Sequence, residues 1–236
     1  MRDRGPAGGA PAPPFAVECA PPFLVARFSA PHRTLGWSLL HPGFAVIRDV
    51  VWVEVRNRDL PPGVDPKALL QEKLTECGIP GALAFMTARD VRRWTFHQAR
   101  VNGVEAACLT TVGLSNAERV GGQRTNRQPP GTINTLVSVS RALTDGAFVE
   151  AVSIAAEART AAILESRPPS GEPPVTGTGT DCIVVAAPCE GEAASWAGLH
   201  TAVGEALGAA VYRATRAGAE QWDAEIGLRL RPEDVG

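Results

Sequence analysis

Three short segments put reactive or hydrogen-bonding side chains at turns and strand ends. VGLSNAERVG at 112–121 closes a strand and delivers Ser115 and Asn116 to a loop, a junction where functional groups commonly sit. The same residue types also favour ordinary turns, because their side chains bond to their own backbone. PPGTIN at 129–134 is a tight glycine turn entering a strand, with Thr132 and Asn134 two residues apart and therefore on one face. TGTGTD at 176–181 interleaves two glycines with three threonines just before Asp181. Such a corner lets the backbone approach a ligand and offers amide N–H groups to an anion or an oxyanion; a plain glycine-rich turn has the same composition. No Lys-Ser/Thr pair follows and the segment runs into a strand, so neither a Walker loop nor a dinucleotide fingerprint fits.

Two helices carry the remaining candidates. Over 145–165, Phe148, Val152, Ala155, Ala156, Ala162 and Ile163 form one apolar arc, and Glu150, Ser153 and Glu157 fall opposite. Arg159 falls inside the arc, where its guanidinium must snorkel or meet a carboxylate. A last helix is expected over 195–217, with His200 on one stripe beside Trp196, Val203, Gly204, Leu207 and Val211. Gly198, Gly204 and Gly208 each cost that helix roughly 1 kcal/mol relative to alanine, which points to close passage past another element. A histidine on such a stripe is more often a core residue than a catalyst.

The elements that must position these groups begin with β-like runs at 22–29, 34–40 and 44–55. In the last, Val51, Val53 and Val55 point one way and Trp52 and Glu54 the other. Asp65 caps a helix over 66–77 that Gly78 and Pro80 end. Strands follow at 81–87, 94–101 and 104–114, with an Asn102-Gly103 hairpin signal between the last two. GGQRTNRQPPG at 121–131 reads as a loop, 132–140 as a strand, SRPPSGEPP at 166–174 as a break, and 176–188 as a turn entering a buried strand. Strands first, then strand–helix–strand–helix, implies an α+β fold: one domain with a mixed or largely antiparallel sheet and helices packed on its faces. The expected limits are a disordered leader at 1–14, the domain at 15–225 and a tail at 226–236.

Composition narrows the partners. With 25 acidic and 23 basic residues the formal charge is −2, so no basic excess exists to neutralise phosphates, and nucleic acid is not an expected partner. The five cysteines are odd in number and lack CxxC spacing, which supports neither a disulfide framework nor a zinc knuckle. His32, His41 and His97 show no ligand spacing, so no metal is expected. Without an apolar run of about 18 residues or a contiguous signal-peptide core, a cytoplasmic protein free of the membrane is expected. The glycines of the last helix leave room for a homo-oligomer.

Taken in order, VGLSNAERVG, PPGTINTLV, AAEARTA, TGTGTDCIVVA and AGLHTAVGEALGAAVYRA resemble the adenosylcobinamide amidohydrolase family, the CbiZ type of corrinoid-salvage enzyme. The resemblance runs from about Met86 to Ala214 and is densest in GTIN, TGTGTD and GLHTAVGE. The N-terminal strands match only loosely: where the family tends to have an early asparagine, this chain has Arg48-Asp49. The family's Glu-Ala-Lys is Glu157-Ala158-Arg159 here, which keeps the charge and changes the donor geometry.

The resemblance implies hydrolysis of the amide joining the aminopropanol arm to the corrin ring, giving adenosylcobyric acid. The cobalt-containing corrinoid would be the substrate, with no further cofactor required; a corrinoid carrier without hydrolysis is the alternative. Amide-rimmed corrinoids suit Asn116, Thr132, Asn134, Thr178, Gly179 and Thr180 as binding groups, with Arg159 and Glu205 beside them and Trp196 or Met86 as apolar walls. Asp181 or His200 is expected as general base, the other orienting it, with Glu157 as a second acid/base and the 176–180 backbone as oxyanion cradle. A threonine nucleophile at 178 or 180 is a further option.

Overall fold

Val51 and Val53 of the strand Gly43–Glu54 face one way, and Val50 and Trp52 the other; all four are fully buried. A strand buried on both faces must lie between two apolar layers, and that is how the molecule is built. The computed structural model describes residues 13–122, 131–166 and 174–229. The leader before Pro13, most of the loop at 121–131, most of the break at 166–174 and the tail from 230 lie outside the described residues.

The main sheet has eight strands. In chain order they are β1 (Phe15–Ala20), β2 (Phe23–Gly36), β3 (Gly43–Glu54), β4 (Leu83–Thr87), β5 (Trp94–Val101), β6 (Val104–Val112), β8 (Ile133–Val139) and β10 (Cys182–Pro188). β7 (Ala117–Glu118) and β9 (Gly177–Thr178) make a separate two-residue ladder. Across the sheet the order is β4-β3-β2-β10-β8-β6-β5, with β1 beside the first half of β2. Only β3–β4 and β8–β10 pair in parallel. The fold is therefore α+β with a mixed, largely antiparallel sheet in one domain. Asn102 and Gly103, both at positive φ, close the β5–β6 hairpin as their sequence dictates.

The register of β2 and β3 shifts between Arg27 and His32. There the sheet bends, and its two arms enclose a common core of Phe28, Trp52 and Phe85 from one arm with Leu109, Leu136 and Val184 from the other. Two polar stitches tie the arms: the Trp52 indole N–H donates to the Asn134 carbonyl at 3.1 Å, and Asn134 Nδ2 donates to the Met86 carbonyl at 2.9 Å. Outside one arm lies α1 (Pro66–Glu76), started by Asp65 accepting from Lys67 N and packed through Leu70 and Leu74 on Val51 and Val53. Outside the other lie α2 (Asp145–Ser166) and α3 (Ala202–Arg229), packed on β6, β8 and β10. The β8–α2–β10 run is a parallel strand–helix–strand crossover.

Three expectations need correction. Residues 23–36 form one bent strand, and 37–42 are a loop rather than the end of a second strand. β1 lies before the first β-like run read from the sequence. The last helix starts at Ala202, capped by the Thr201 hydroxyl accepting from Gly204 N at 3.0 Å, and runs on to Arg229. Its close passages are at Gly204, where a Cβ would overlap the Ala197 and Gly198 carbonyls, and at Gly218, where one would meet Val112 at 2.5 Å. Gly208 is under milder pressure from Ile154.

Candidate functional site

GTIN and TGTGTD come together at the N-terminal ends of the parallel strands β8 and β10. The knot is Asp181. Its Oδ1 accepts from Ile133 N at 2.9 Å and from the Thr178 hydroxyl at 2.5 Å, and its Oδ2 accepts from Arg159 Nη1 at 2.6 Å and Thr178 N at 2.9 Å. A carboxylate offers about four lone-pair positions, and here each oxygen already holds two donors. The Asp181 side chain is 4% exposed and that of Arg159 is 16%, so Arg159 meets a carboxylate rather than snorkelling. An alanine Cβ at Gly177 would stand 2.5 Å from Asp181 Oδ2, which is why the corner needs glycine there.

Beside the knot opens a cavity of about 530 Å³. One wall is the start of β8 and the start of β10, with Gly131, Thr132, Gly179, Thr180, Asp181 and Cys182. The opposite wall comes from the ends of β3 and β4 (Val55, Arg56, Phe85 to Ala88) with Asn57 and Leu60, and the loop after β2 adds Trp37, Ser38 and Leu39. The lining is apolar over most of its surface and polar at the threonine end. That is the usual make-up of a small-molecule site.

The polar end is a chain of hydrogen bonds. The Thr132 hydroxyl lies 2.9 Å from the Thr180 carbonyl and 3.2 Å from Asn134 Oδ1, donating to either, and the Thr180 hydroxyl donates to the Gly131 carbonyl at 2.9 Å. Gly131 is tightly held: a Cβ there would sit 2.6 Å from Ser115 Oγ and 2.8 Å from both Asn116 Oδ1 and the Gly113 carbonyl. Asn116, 6% exposed, thus abuts the turn from behind, and among the described residues its Oδ1 meets no hydrogen-bond donor. Cys182 faces the cavity as a thiol pushed up to about 11 by burial and by the charge of Asp181, so it stays protonated at neutral pH.

Of the residues singled out in the sequence, Thr132, Gly179, Thr180, Asp181 and Met86 line this cavity. Asn134 lies behind it, sharing a face with Thr132 as its spacing dictates but spending its amide on Met86. The Thr178 hydroxyl and Asp181 have the form of a nucleophile beside a base. The carboxylate, however, is tied up by Arg159 and two backbone N–H groups, and Thr178 is not on the cavity wall. Asp181 is thus built as a tether for the 177–181 corner.

His200 is a correction. It lies exposed in the turn before α3, not on a helix, and β10 separates it from Asp181. Asp181 precedes Cys182 at one end. The loop after Pro188 reaches His200 from the other end, bridged on its way by Ala194 to Leu143 beyond the end of β8. A seven-residue strand puts roughly 20 Å between these ends, so the pair cannot share a proton. Trp196, 69% exposed, and the exposed Glu205 belong to that same remote end, and neither borders the cavity. Glu157 is exposed on α2 and accepts from the Ser153 hydroxyl at 3.2 Å, as its helical phase requires of a solvated residue. Sequence reasoning missed Trp37, Leu39, Val55 and Leu60. The available signal was Gly36-Trp37, a glycine that lets β2 pass against β10 followed by an aromatic residue entering a loop.

Among the described residues, no group of three histidine, cysteine or acidic side chains is placed to hold a metal ion, and no helix is long and apolar enough to cross a membrane.

Over residues 14–226 the chain matches the adenosylcobinamide amidohydrolase family, CbiZ. The likeness read from about Met86 to Ala214 therefore extends through the N-terminal strands. Among curated proteins it is similar to an adenosylcobinamide amidohydrolase of Halobacterium salinarum, 39% identical over 125 residues, 50% of this chain and 52% of that protein. It is also similar to an uncharacterized protein of Methanocaldococcus jannaschii, 34% identical over 120 residues, 50% of this chain and 47% of that protein. The chain spans about half the length of the curated relatives it matches. Among solved structures, a Burkholderia sp. beta-aminopeptidase covers 89% of this chain and 87% of its own, with a TM-score of 0.46 at 13% identity.

Proposed function

The chain belongs to the adenosylcobinamide amidohydrolase family, and from that premise we propose that it hydrolyses the amide joining the aminopropanol arm to the corrin ring of adenosylcobinamide. Water is added across the C–N bond, leaving adenosylcobyric acid as the carboxylate product and aminopropanol as the amine. The product is a precursor for cobalamin salvage, and the reaction is assigned to the cytoplasm. The observation that carries the reading is the convergence of GTIN and TGTGTD, two of the densest parts of the likeness, on one wall of a 530 Å³ cavity.

In this reading the scissile amide lies against the threonine end. The Thr132 and Thr180 hydroxyls, both on the wall, contact its polar atoms. The backbone of the Gly179–Thr180 turn is assigned to the developing oxyanion. Asp181 and Arg159 do not touch substrate; they fix the turn that presents these donors, so that no reorganisation is needed as charge develops.

One observation favours a second reading, a corrinoid carrier. Among the described residues the single carboxylate on the cavity wall, Asp181, has its acceptor positions filled and is a poor base. Incubation with adenosylcobinamide and mass spectrometry of the products separates the two. Cobyric acid and free aminopropanol are expected; bound but uncleaved cobinamide would make the protein a carrier, and neither binding nor cleavage would end both readings.

A further inference from the structure

Trp37 is fixed in an unusual way for a residue in a loop. Its backbone N–H donates to the Ile183 carbonyl at 3.2 Å, and its indole N–H donates to the Asp181 carbonyl at 2.5 Å. One anchor lies on β10 and the other on the residue just before it, and Gly36 makes them reachable, because a Cβ there would overlap the Ile183 carbonyl. The indole's one polar atom is thereby spent on the protein. Its ring is left lining the cavity while 41% of the residue remains exposed.

The size of the cavity gives that exposed ring a purpose. About 530 Å³ encloses most of an ordinary small ligand, but a corrinoid, with its ring of amide-bearing arms, is far larger. If the arm and its amide enter to reach Thr132 and Thr180, the macrocycle must rest outside, against whatever apolar surface the rim offers. Across the cavity Phe85 and Val55 are buried, at 1% and 6%. Trp37 and its neighbour Leu39, at 41% and 39%, are the wall residues with a large apolar area open to solvent. A rigid aromatic face loses little conformational freedom on binding and stacks on a flat conjugated ring.

We infer that Trp37 is the shelf on which the face of the substrate's macrocycle stacks, making it a specificity-determining residue rather than part of the hydrolytic machinery. The inference rests on the corrinoid reading of the site and adds where the ring lies. Trp37→Phe and Trp37→Leu both lose the anchor to the Asp181 carbonyl, but only leucine loses the aromatic face, so the pair separates stacking from scaffolding. With adenosylcobinamide, Trp37→Leu should raise KM about tenfold with kcat within about twofold, and Trp37→Phe should stay within about threefold on both. Cobyric acid, which keeps the ring and lacks the arm, should bind more weakly to Trp37→Leu by the same factor in equilibrium dialysis. Equal losses in the two variants, or cobyric acid binding unchanged in Trp37→Leu, would overturn the shelf. A wild-type protein that binds cobyric acid through Trp37 yet releases no aminopropanol would overturn the hydrolytic reading and leave the shelf standing.

Discussion

Arg159 on α2 donates to Asp181 at the root of β10 across 2.6 Å, and both side chains are largely out of water. A buried pair adds little net stability over an apolar replacement, but removing one partner strands the other charge. Arg159→Met and Asp181→Asn are each expected to cost about 3–5 kcal/mol in denaturant unfolding. The double variant should lose clearly less than the sum, since its charges vanish together. Additive losses would mean that the two residues do not act as a unit.

Gly131 offers a test of how finely the threonine end is set. An alanine methyl there would press on Ser115 Oγ, Asn116 Oδ1 and the Gly113 carbonyl at 2.6–2.8 Å. Relief must come from moving the turn that carries Thr132. Gly131→Ala is expected to lose about 1–3 kcal/mol of stability and to reduce kcat/KM for adenosylcobinamide at least tenfold. Gly179→Ala, with nothing within 4 Å of its Cβ, should unfold like wild type. Equal stability of the two variants would refute the crowding argument.

Where the sequence was readable, one local pattern had no competitor. The alternation of Val51, Trp52 and Val53 settles β3, Asn102-Gly103 settles the β5–β6 hairpin, and the two-residue spacing of Thr132 and Asn134 gives their common face. Where it failed, a periodic pattern ran past a physical stop. Trp196 and His200 continue the spacing of α3 backwards, yet Thr201 caps the helix and the chain before it turns away into solvent. That stop moves His200 to the wrong end of β10. The Trp37 wall was silent for the opposite reason: a loop has no period, and its place beside Asp181 depends on β2 pairing with β10, strands about 150 residues apart in sequence.

Asn134 joins the site to the opposite arm of the sheet. It is fully buried, donates to the Met86 carbonyl and has its Oδ1 3.2 Å from the Thr132 hydroxyl. Asn134→Asp keeps the shape but turns an acceptor toward that carbonyl, so at neutral pH it is expected to cost about 3 kcal/mol or more. A buried carboxylic acid without a charge partner resists ionisation, and once protonated it can donate to Met86 again. The deficit relative to wild type should therefore shrink as the pH is lowered, as read by thermal unfolding across acidic buffers. A deficit independent of pH would show that the Met86 contact carries no weight.

Cys182 supplies a test at the alkaline end. Burial, reinforced by the charge of Asp181, pushes its thiol from the ordinary 9.0 up to about 11 in the folded protein. Above pH 9.0 the unfolded chain releases this proton while the folded chain keeps it, so the native state binds more protons and stability falls as the pH rises. The contribution is complete below 9.0 and is lost by about 11. Burial pushes the Cys108 thiol up as well, which gives wild type a background slope of the same sign. Cys182→Ala removes only the cavity thiol, so its unfolding free energy should fall less steeply than that of wild type between those limits. Parallel slopes would mean that Cys182 is as well solvated as in the unfolded chain, and that the wall beside Thr180 is open to water rather than apolar.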